Sequence, residues 1–180
     1  DQVRPDSNSP PARSVAGMGD HPCSIALYAA IVTGLYRRQA TGQGGLVSSS
    51  LLANGLWSNA FLVQARLTSA TIPPRPPRSE SMTATSNMYR TRDGRWFNLA
   101  MVNDEKQYPI LVATLGRSEL ANDPRFATKD ARRANVRILM AELDDLFAQF
   151  DLKDLRKVLD AAGVTFGFVG TIDEAMHDRQ

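Results

Sequence analysis

Four prolines in five positions, Pro73, Pro74, Pro76 and Pro77 around Arg75, set the strongest limit on how this chain folds. Each proline fixes its own φ near −65° and lacks an N–H, so neither a helix interior nor a central strand can run through them. Residues 72–84 are therefore expected to form an extended, polyproline-like linker. A stiff spacer is a more natural reading than a PxxP ligand for an aromatic groove. The patterns on its two sides differ, helical before it and strands mixed with helices after it. This divides the chain into residues 1–71, the linker 72–84 and a small α+β domain at 85–180. A length of 180 residues with 43% apolar side chains is enough to bury a real core, in one domain or two small ones.

Residues 1–16 hold three prolines and few large apolar groups, and read as an irregular lead-in. From Gly17 the chain runs GMGDHPCSIALYAAIVTGLYRRQATGQGG. Pro22 suits a first helical position, which places Asp20 and His21 at the N-terminus of a helix of about 21–40, stopped by Gly42. Unpaired N–H groups and the positive end of the macrodipole hold a carboxylate ionised there and offer donors to a developing oxyanion. The competing reading of Asp20 is a simple helix cap. Ile25, Ala26, Ala29, Ala30, Val32 and Leu35 cover more than one face, so burial among other elements is expected. Gly34 is expected to permit close packing. Thr41–Gly45 follows a helix rather than a strand, and so reads as a C-cap and turn, not a phosphate loop. Val47–Ser49 is a short β-like run, and Ser50 is an N-cap for a helix of about 51–69 with Leu51, Leu52, Leu56, Ala60, Val63 and Leu67 at helical spacing. Three serines in a row without a G-x-S-x-G elbow are a poor hydrolase signal.

After the linker, Asn87–Thr91, an Asp93-Gly94 turn and Arg95–Met101 predict a β-hairpin in which Tyr89, Trp96 and Phe97 are half-buried sheet residues. Asn103 or Asp104 caps a helix of about 105–115 ending at Gly116, and Ser118–Phe126 is a short helical turn. A long amphipathic helix is expected at about 129–149, with Ala131, Ala134, Ile138, Leu139, Leu143, Leu146, Phe147 and Phe150 as its core stripe. A further helix from Asp151 turns Leu155, Val158 and Leu159 inward and ends at Gly163. Val164–Val169 forms a last strand, and Thr171-Ile-Asp-Glu174 is a capping box for a final helix.

A net charge of +2 with spread Lys and Arg gives no case for a nucleic-acid partner. No apolar run reaches bilayer length unbroken and no secretory leader is present, so neither a membrane partner nor export is expected. A single Cys excludes an intramolecular disulfide and fits a reducing, cytoplasmic setting. Two histidines 156 positions apart make a metal site implausible, and no metal is expected. Cys23 reads as a small buried hydrophobe, His21 as a supporting group at most, and His177 as incidental. Beginning at Asp1 amid polar sequence, the chain reads as a piece of something longer.

Gly19-Asp20-His21, the alanine-rich helix, Arg37-Arg38, Thr41-Gly42-Gln43-Gly44 and Val47–Leu52 together resemble the central block of the family III CoA-transferases, which include carnitine-, bile-acid- and formyl-CoA transferases. Tyr89–Trp96, Leu115-Gly116-Arg117, Asp123–Phe126, Ala162-Gly163-Val164 and Thr171–Glu174 are similar to that family's small domain. The resemblance covers about residues 17–180. It implies an α/β architecture of two domains, of which this chain holds a helical segment of the large domain and a small α+β domain with an antiparallel hairpin. It further implies that Asp20 is the catalytic nucleophile and that coenzyme A, as acyl-CoA, is a substrate. An aspartyl anhydride and an aspartyl-CoA thioester would carry the CoA to a carboxylic acid acceptor. The CoA-contacting residues would lie mostly in a missing N-terminal half, and the family's interlocked homodimer would be the assembly. Two alternatives remain. One is a 2-methylacyl-CoA racemase of the same superfamily, whose branch tends to carry Glu-Pro where this chain has Asn103-Asp104-Glu105. The other is a catalytically incomplete fragment acting only in dimer assembly.

Overall fold

Helix α1 (Asp20–Thr41) ends where Gly42 takes the left-handed conformation that suits glycine, at φ 73°, with its N–H donating to Arg38 O at 2.8 Å. This element and all others are taken from a computed structural model that describes residues 9–11, 13–72 and 76–179. The chain divides into two units, residues 1–75 and 76–180. Pro73, Pro74 and Arg75 of the expected linker lie outside the described residues.

In the first unit, Ser50 Oγ accepts the Ala53 N–H at 3.0 Å and starts α2 (Leu51–Ser58). The single helix expected over 51–69 is two helices, with α3 (Ala60–Leu67) following a break at Asn59. Asn59 turns both its N–H and its Nδ2 back onto Gly55 O, at 3.1 and 2.8 Å, and the helical path is interrupted there. Val47–Ser49 is not a strand: the ladder it would need has no second strand among the described residues of this unit. It runs back along α1 instead. Val47 lies so close to Gly34 that a Cβ on that glycine would stand 2.8 Å from Val47 Cγ1, the close packing expected at Gly34. The half-covered line of α1 is Cys23, Ala26, Ala30 and Gly34, small residues at helical spacing that let this return segment approach. No residue of α1, α2 or α3 is buried. The apolar faces expected to be covered therefore stand open, because the return segment is too narrow to shield more than one stripe.

The second unit builds a core. Strands β1 (Ser86–Arg90) and β2 (Trp96–Ala100) pair antiparallel around the Asp93-Gly94 turn, with Gly94 at φ 78°. β3 (Phe166–Phe168) joins the other edge of β2, giving a three-stranded antiparallel sheet in the order β1-β2-β3. The unit's helices are α4 (Asp104–Thr114), α5 (Glu119–Asn122), α6 (Lys129–Ala134), α7 (Val136–Phe147), α8 (Leu152–Ala161) and α9 (Ile172–Met176). The long helix expected over 129–149 breaks at Asn135, whose Nδ2 donates to Ala131 O and Arg125 O at 3.0 and 3.2 Å. The break rotates the stripe, so Ile138 is exposed while Met140 is buried.

Tyr89 and Phe97, expected half-buried, are fully buried, and Trp96 is exposed. The rings of Tyr89 and Phe97 lie 4.9 Å from that of Phe147, a separation at which tilted aromatic pairs gain beyond their buried area. Before β1, Arg78 grips Asp144 through two hydrogen bonds of 2.9 and 2.7 Å and donates to Met88 O at 2.9 Å, anchoring the residues that follow the prolines.

Candidate active site

Gly19 is the N-cap of α1 and offers no side chain to it, so Asp20 is the first helical residue rather than the cap. Pro22 stands third in the helix, not first, still among the four residues whose N–H groups need no helical partner. The Asp20 side chain is exposed and its carboxylate has neither a hydrogen bond nor an ion pair among the described residues. The turn that presents it is nonetheless defined. Gly17, at φ 81°, accepts the His21 N–H at 2.9 Å through its carbonyl, and a Cβ on Gly17 would stand 2.6 Å from the His21 ring. Only glycine suits that position, and the imidazole folds over it. Gly19 approaches Leu51 of α2, with 3.9 Å from an added Cβ to Leu51 Cδ2.

Asp20 lines an open cavity of about 840 Å³ together with Gly19, Pro22, Leu51, Asn54 and Asn59, all from the first unit. On its α2 side, Asn54 Nδ2 donates to Ser49 Oγ at 2.9 Å and to Ser50 O at 2.8 Å. Ser49 Oγ lies 3.4 Å from Cys23 Sγ. Cys23, expected to be buried, is only half-covered, because the narrow return segment shields a single stripe of α1. No local motif marks Ser49 and Asn54, because the Ser49 contacts join residues five and twenty-six positions apart. At the other end of α1, Thr41 Oγ1 donates to Arg37 O and accepts the Gln43 N–H, so the glycine-rich turn closes the helix, as read from sequence.

Several carboxylates of the second unit are held ionised by arginine partners. Arg95 holds Glu174 down at about 2, and Arg92 and Arg125 lower Asp151 and Asp123 through their guanidinium hydrogen bonds. Each is occupied by its arginine and unsuited to attack a substrate. Burial raises the Tyr89 and Tyr108 phenols, so both stay neutral. Arg132, itself buried, gives two hydrogen bonds of 3.0 and 2.9 Å to Asp104 Oδ2 and one to Phe126 O, a core ion pair. His177 Nδ1 sits 2.7 Å from Asp173 O, a local contact near the chain end. Among the described residues no group of three or more His, Cys, Asp or Glu is placed to hold a metal ion, and no helix is long and apolar enough to cross a membrane.

Residues 2–180 match the model of CoA-transferase family III. The succinyl-CoA–D-citramalate CoA-transferase of Chloroflexus aurantiacus is 31% identical over 94% of this chain and 42% of its own length. The (R)-2-hydroxy-4-methylpentanoate CoA-transferase of Clostridioides difficile is 24% identical over the same shares. Among solved structures, a CaiB/BaiF family protein from Brucella suis superposes with a TM-score of 0.79 at 28% identity, over 99% of this chain and 47% of that one. The chain thus spans about two fifths of the length of the curated relatives it matches.

Proposed function

The chain belongs to CoA-transferase family III, and we propose that Asp20 is the nucleophile through which the full-length protein moves coenzyme A from an acyl-CoA donor to a carboxylic acid. One observation carries this reading. Asp20 opens a 22-residue helix, lines an open cavity, and has a carboxylate that no cation or donor of the described chain occupies. The guanidinium-paired carboxylates of the second unit lack that freedom.

The chemistry balances without a metal. The Asp20 carboxylate adds to the thioester carbonyl, the C–S bond breaks, and CoA leaves as thiolate, giving a mixed anhydride. The thiolate attacks the aspartyl carbonyl and releases the donor acid as carboxylate, leaving an aspartyl-CoA thioester. The acceptor carboxylate repeats the first step on that thioester and forms a second anhydride. Thiolate attack on the acceptor's carbonyl then yields the new acyl-CoA and restores Asp20. No net proton moves. The His21 and Cys23 N–H groups are already given to Gly17 O and Gly19 O, and Pro22 has none. Within α1 it is therefore the positive end of the macrodipole that favours the negative charge developing on each tetrahedral oxygen.

Residues 1–71 are assigned to the family's large domain and 85–180 to its small domain. The apolar faces of α1–α3 are read as the surface covered by the rest of a full-length member or by a second copy in an interlocked homodimer. A cytoplasmic location fits a half-covered cysteine with no disulfide partner in the chain. The relatives reported above are named for CoA transfer to different acids, so the acceptor is carried over only as a carboxylic acid.

Asp20→Ala in the full-length protein is expected to abolish CoA transfer and the covalent CoA adduct seen by intact-mass spectrometry. Retained transfer would remove Asp20 from this role. Deuterium exchange at the α-carbon of a 2-methylacyl-CoA, without transfer, would instead point to the racemase chemistry.

A further inference from the structure

We infer that Ser49 and Asn54 are positioning residues for Asp20, an inference that rests on the nucleophile reading above. In a unit where no side chain of α1–α3 is buried, a 22-residue helix gains its placement from few contacts. Cys23, Ser49 and Asn54 are among the few residues there that are half-covered. They form one chain of polar contacts, Asn54 Nδ2 to Ser49 Oγ at 2.9 Å and Ser49 Oγ to Cys23 Sγ at 3.4 Å. Cys23 lies one turn beyond Asp20, so this chain joins the first turns of α1 to α2 at the wall of the cavity that Asp20 lines.

The orientation of Asn54 is fixed by chemistry. Ser50 O can only accept, so the atom 2.8 Å from it is the amide nitrogen, and the same nitrogen donates its second hydrogen to Ser49 Oγ. Ser49 thus spans the gap between the helices, and Ser50 beside it caps α2. This polar bridge sets how far the Asp20-bearing turn stands from α2, while Gly19 and Leu51 leave ordinary room for a side chain between them. Attack on a thioester carbonyl needs the carboxylate placed to within a fraction of an ångström, and a displacement of about 1 Å costs on the order of 10²-fold in rate. Neither Ser49 nor Asn54 needs to touch substrate for this.

The test uses the full-length protein with Ser49→Ala, Ser49→Thr, Asn54→Ala and Asp20→Ala. Ser49→Ala and Asn54→Ala are expected to lower kcat for CoA transfer about 10- to 100-fold, with KM for the acyl-CoA changed less than about threefold and the melting temperature held. Ser49→Thr, which keeps the hydroxyl, is expected to recover most of the rate. Cys23 supplies a readout independent of activity: its alkylation by iodoacetamide, followed by peptide mass spectrometry, should quicken in Ser49→Ala and Asn54→Ala. Unchanged kcat, or a loss confined to KM, overturns the positioning role. So does a fall in melting temperature that accounts for the lost activity, or a Ser49→Thr variant as slow as Ser49→Ala. If Asp20→Ala retains transfer, the nucleophile reading fails on its own, whatever the Ser49 and Asn54 variants do.

Discussion

The aromatic side chains of the first unit are exposed, whereas most of those in the second are buried. In residues 76–180, Tyr89, Phe97, Tyr108, Phe126 and Phe147 are fully buried, and the sheet and helices close around them. In residues 1–75, Trp57, Phe61 and Tyr36 are 81%, 78% and 74% exposed, on helices that have no buried residue at all. The helices of the first unit are as well formed locally as those of the second. What differs is tertiary cover, which supplies most helical stability in water. The proposed nucleophile on α1 therefore sits on a helix with no buried residue of its own, which is why the few contacts of its first turns carry weight.

The largest effect expected from this contrast is in native-state hydrogen exchange. Amides of β1, β2 and α7 should exchange only through global opening, at least about 10³-fold slower than in the unfolded chain, as a domain stability of about 5 kcal/mol implies. Amides of α1–α3 in the 180-residue chain should lack that protection. Equal protection in both units would show that the first unit is covered in solution and would break the comparison.

Matched truncations sharpen it. Phe147→Ala removes a ring packed on both Tyr89 and Phe97 and is expected to cost about 3–5 kcal/mol in denaturant unfolding. Phe61→Ala, on an exposed ring, is expected to stay within about 0.5 kcal/mol. A comparable loss from Phe61→Ala would mean that its face is buried against a second copy. Capping should show a smaller difference. Thr171 accepts the Glu174 N–H while Glu174 accepts the Thr171 N–H, a complete box. Ser50 supplies only one such bond. Thr171→Ala and Ser50→Ala are each expected to cost about 1 kcal/mol of local helix stability, seen as faster exchange in α9 and α2. Only the first belongs to the unit with its own core.

Features set by neighbours in sequence were legible. The Asp93-Gly94 hairpin, the Gly42, Gly116 and Gly163 stops and the Thr171 box all rest on residues within a few positions. Features set by distant partners were not. Asn59 and Asn135 look like ordinary helical residues, and only the carbonyls they reach reveal the breaks. The arginines look evenly spread, yet Arg78 pairs with Asp144 across 66 positions and Arg132 with Asp104 across 28. At the candidate site, the place of Asp20 at a helix start was legible because Gly-Asp-His-Pro is a local signal. The Cys23–Ser49–Asn54 bridge was not, since it forms only once the chain has turned back on α1. The apolar faces of α1–α3 were expected to be covered because hydrophobic periodicity reports what a helix could bury, not what lies against it.

The smallest effect expected concerns acid, and it also separates the units. All the ion pairs among the described residues lie in the second unit. Glu174 is held at about 2, first by the Arg95 guanidinium and then by the Thr171 N–H, against an ordinary value of 4.5. A carboxylate depressed on folding contributes stability that is in place above its unfolded value and fades as pH falls toward its folded one. Docking of α9 against the hairpin should thus be unchanged from pH 7 to about 5 and weaken between about 4.5 and 2. Because the pair is exposed, the loss should be modest and should shrink further in 0.5 M salt (on the order of a 4 Å screening length). The measurement is a pH titration of the Glu174 side-chain carboxyl by NMR, with exchange rates of the α9 amides alongside. A midpoint near 4.5 would show that Arg95 and Glu174 do not pair in solution, and α9, which has no buried residue, would then lack the ion pair that ties it to the hairpin.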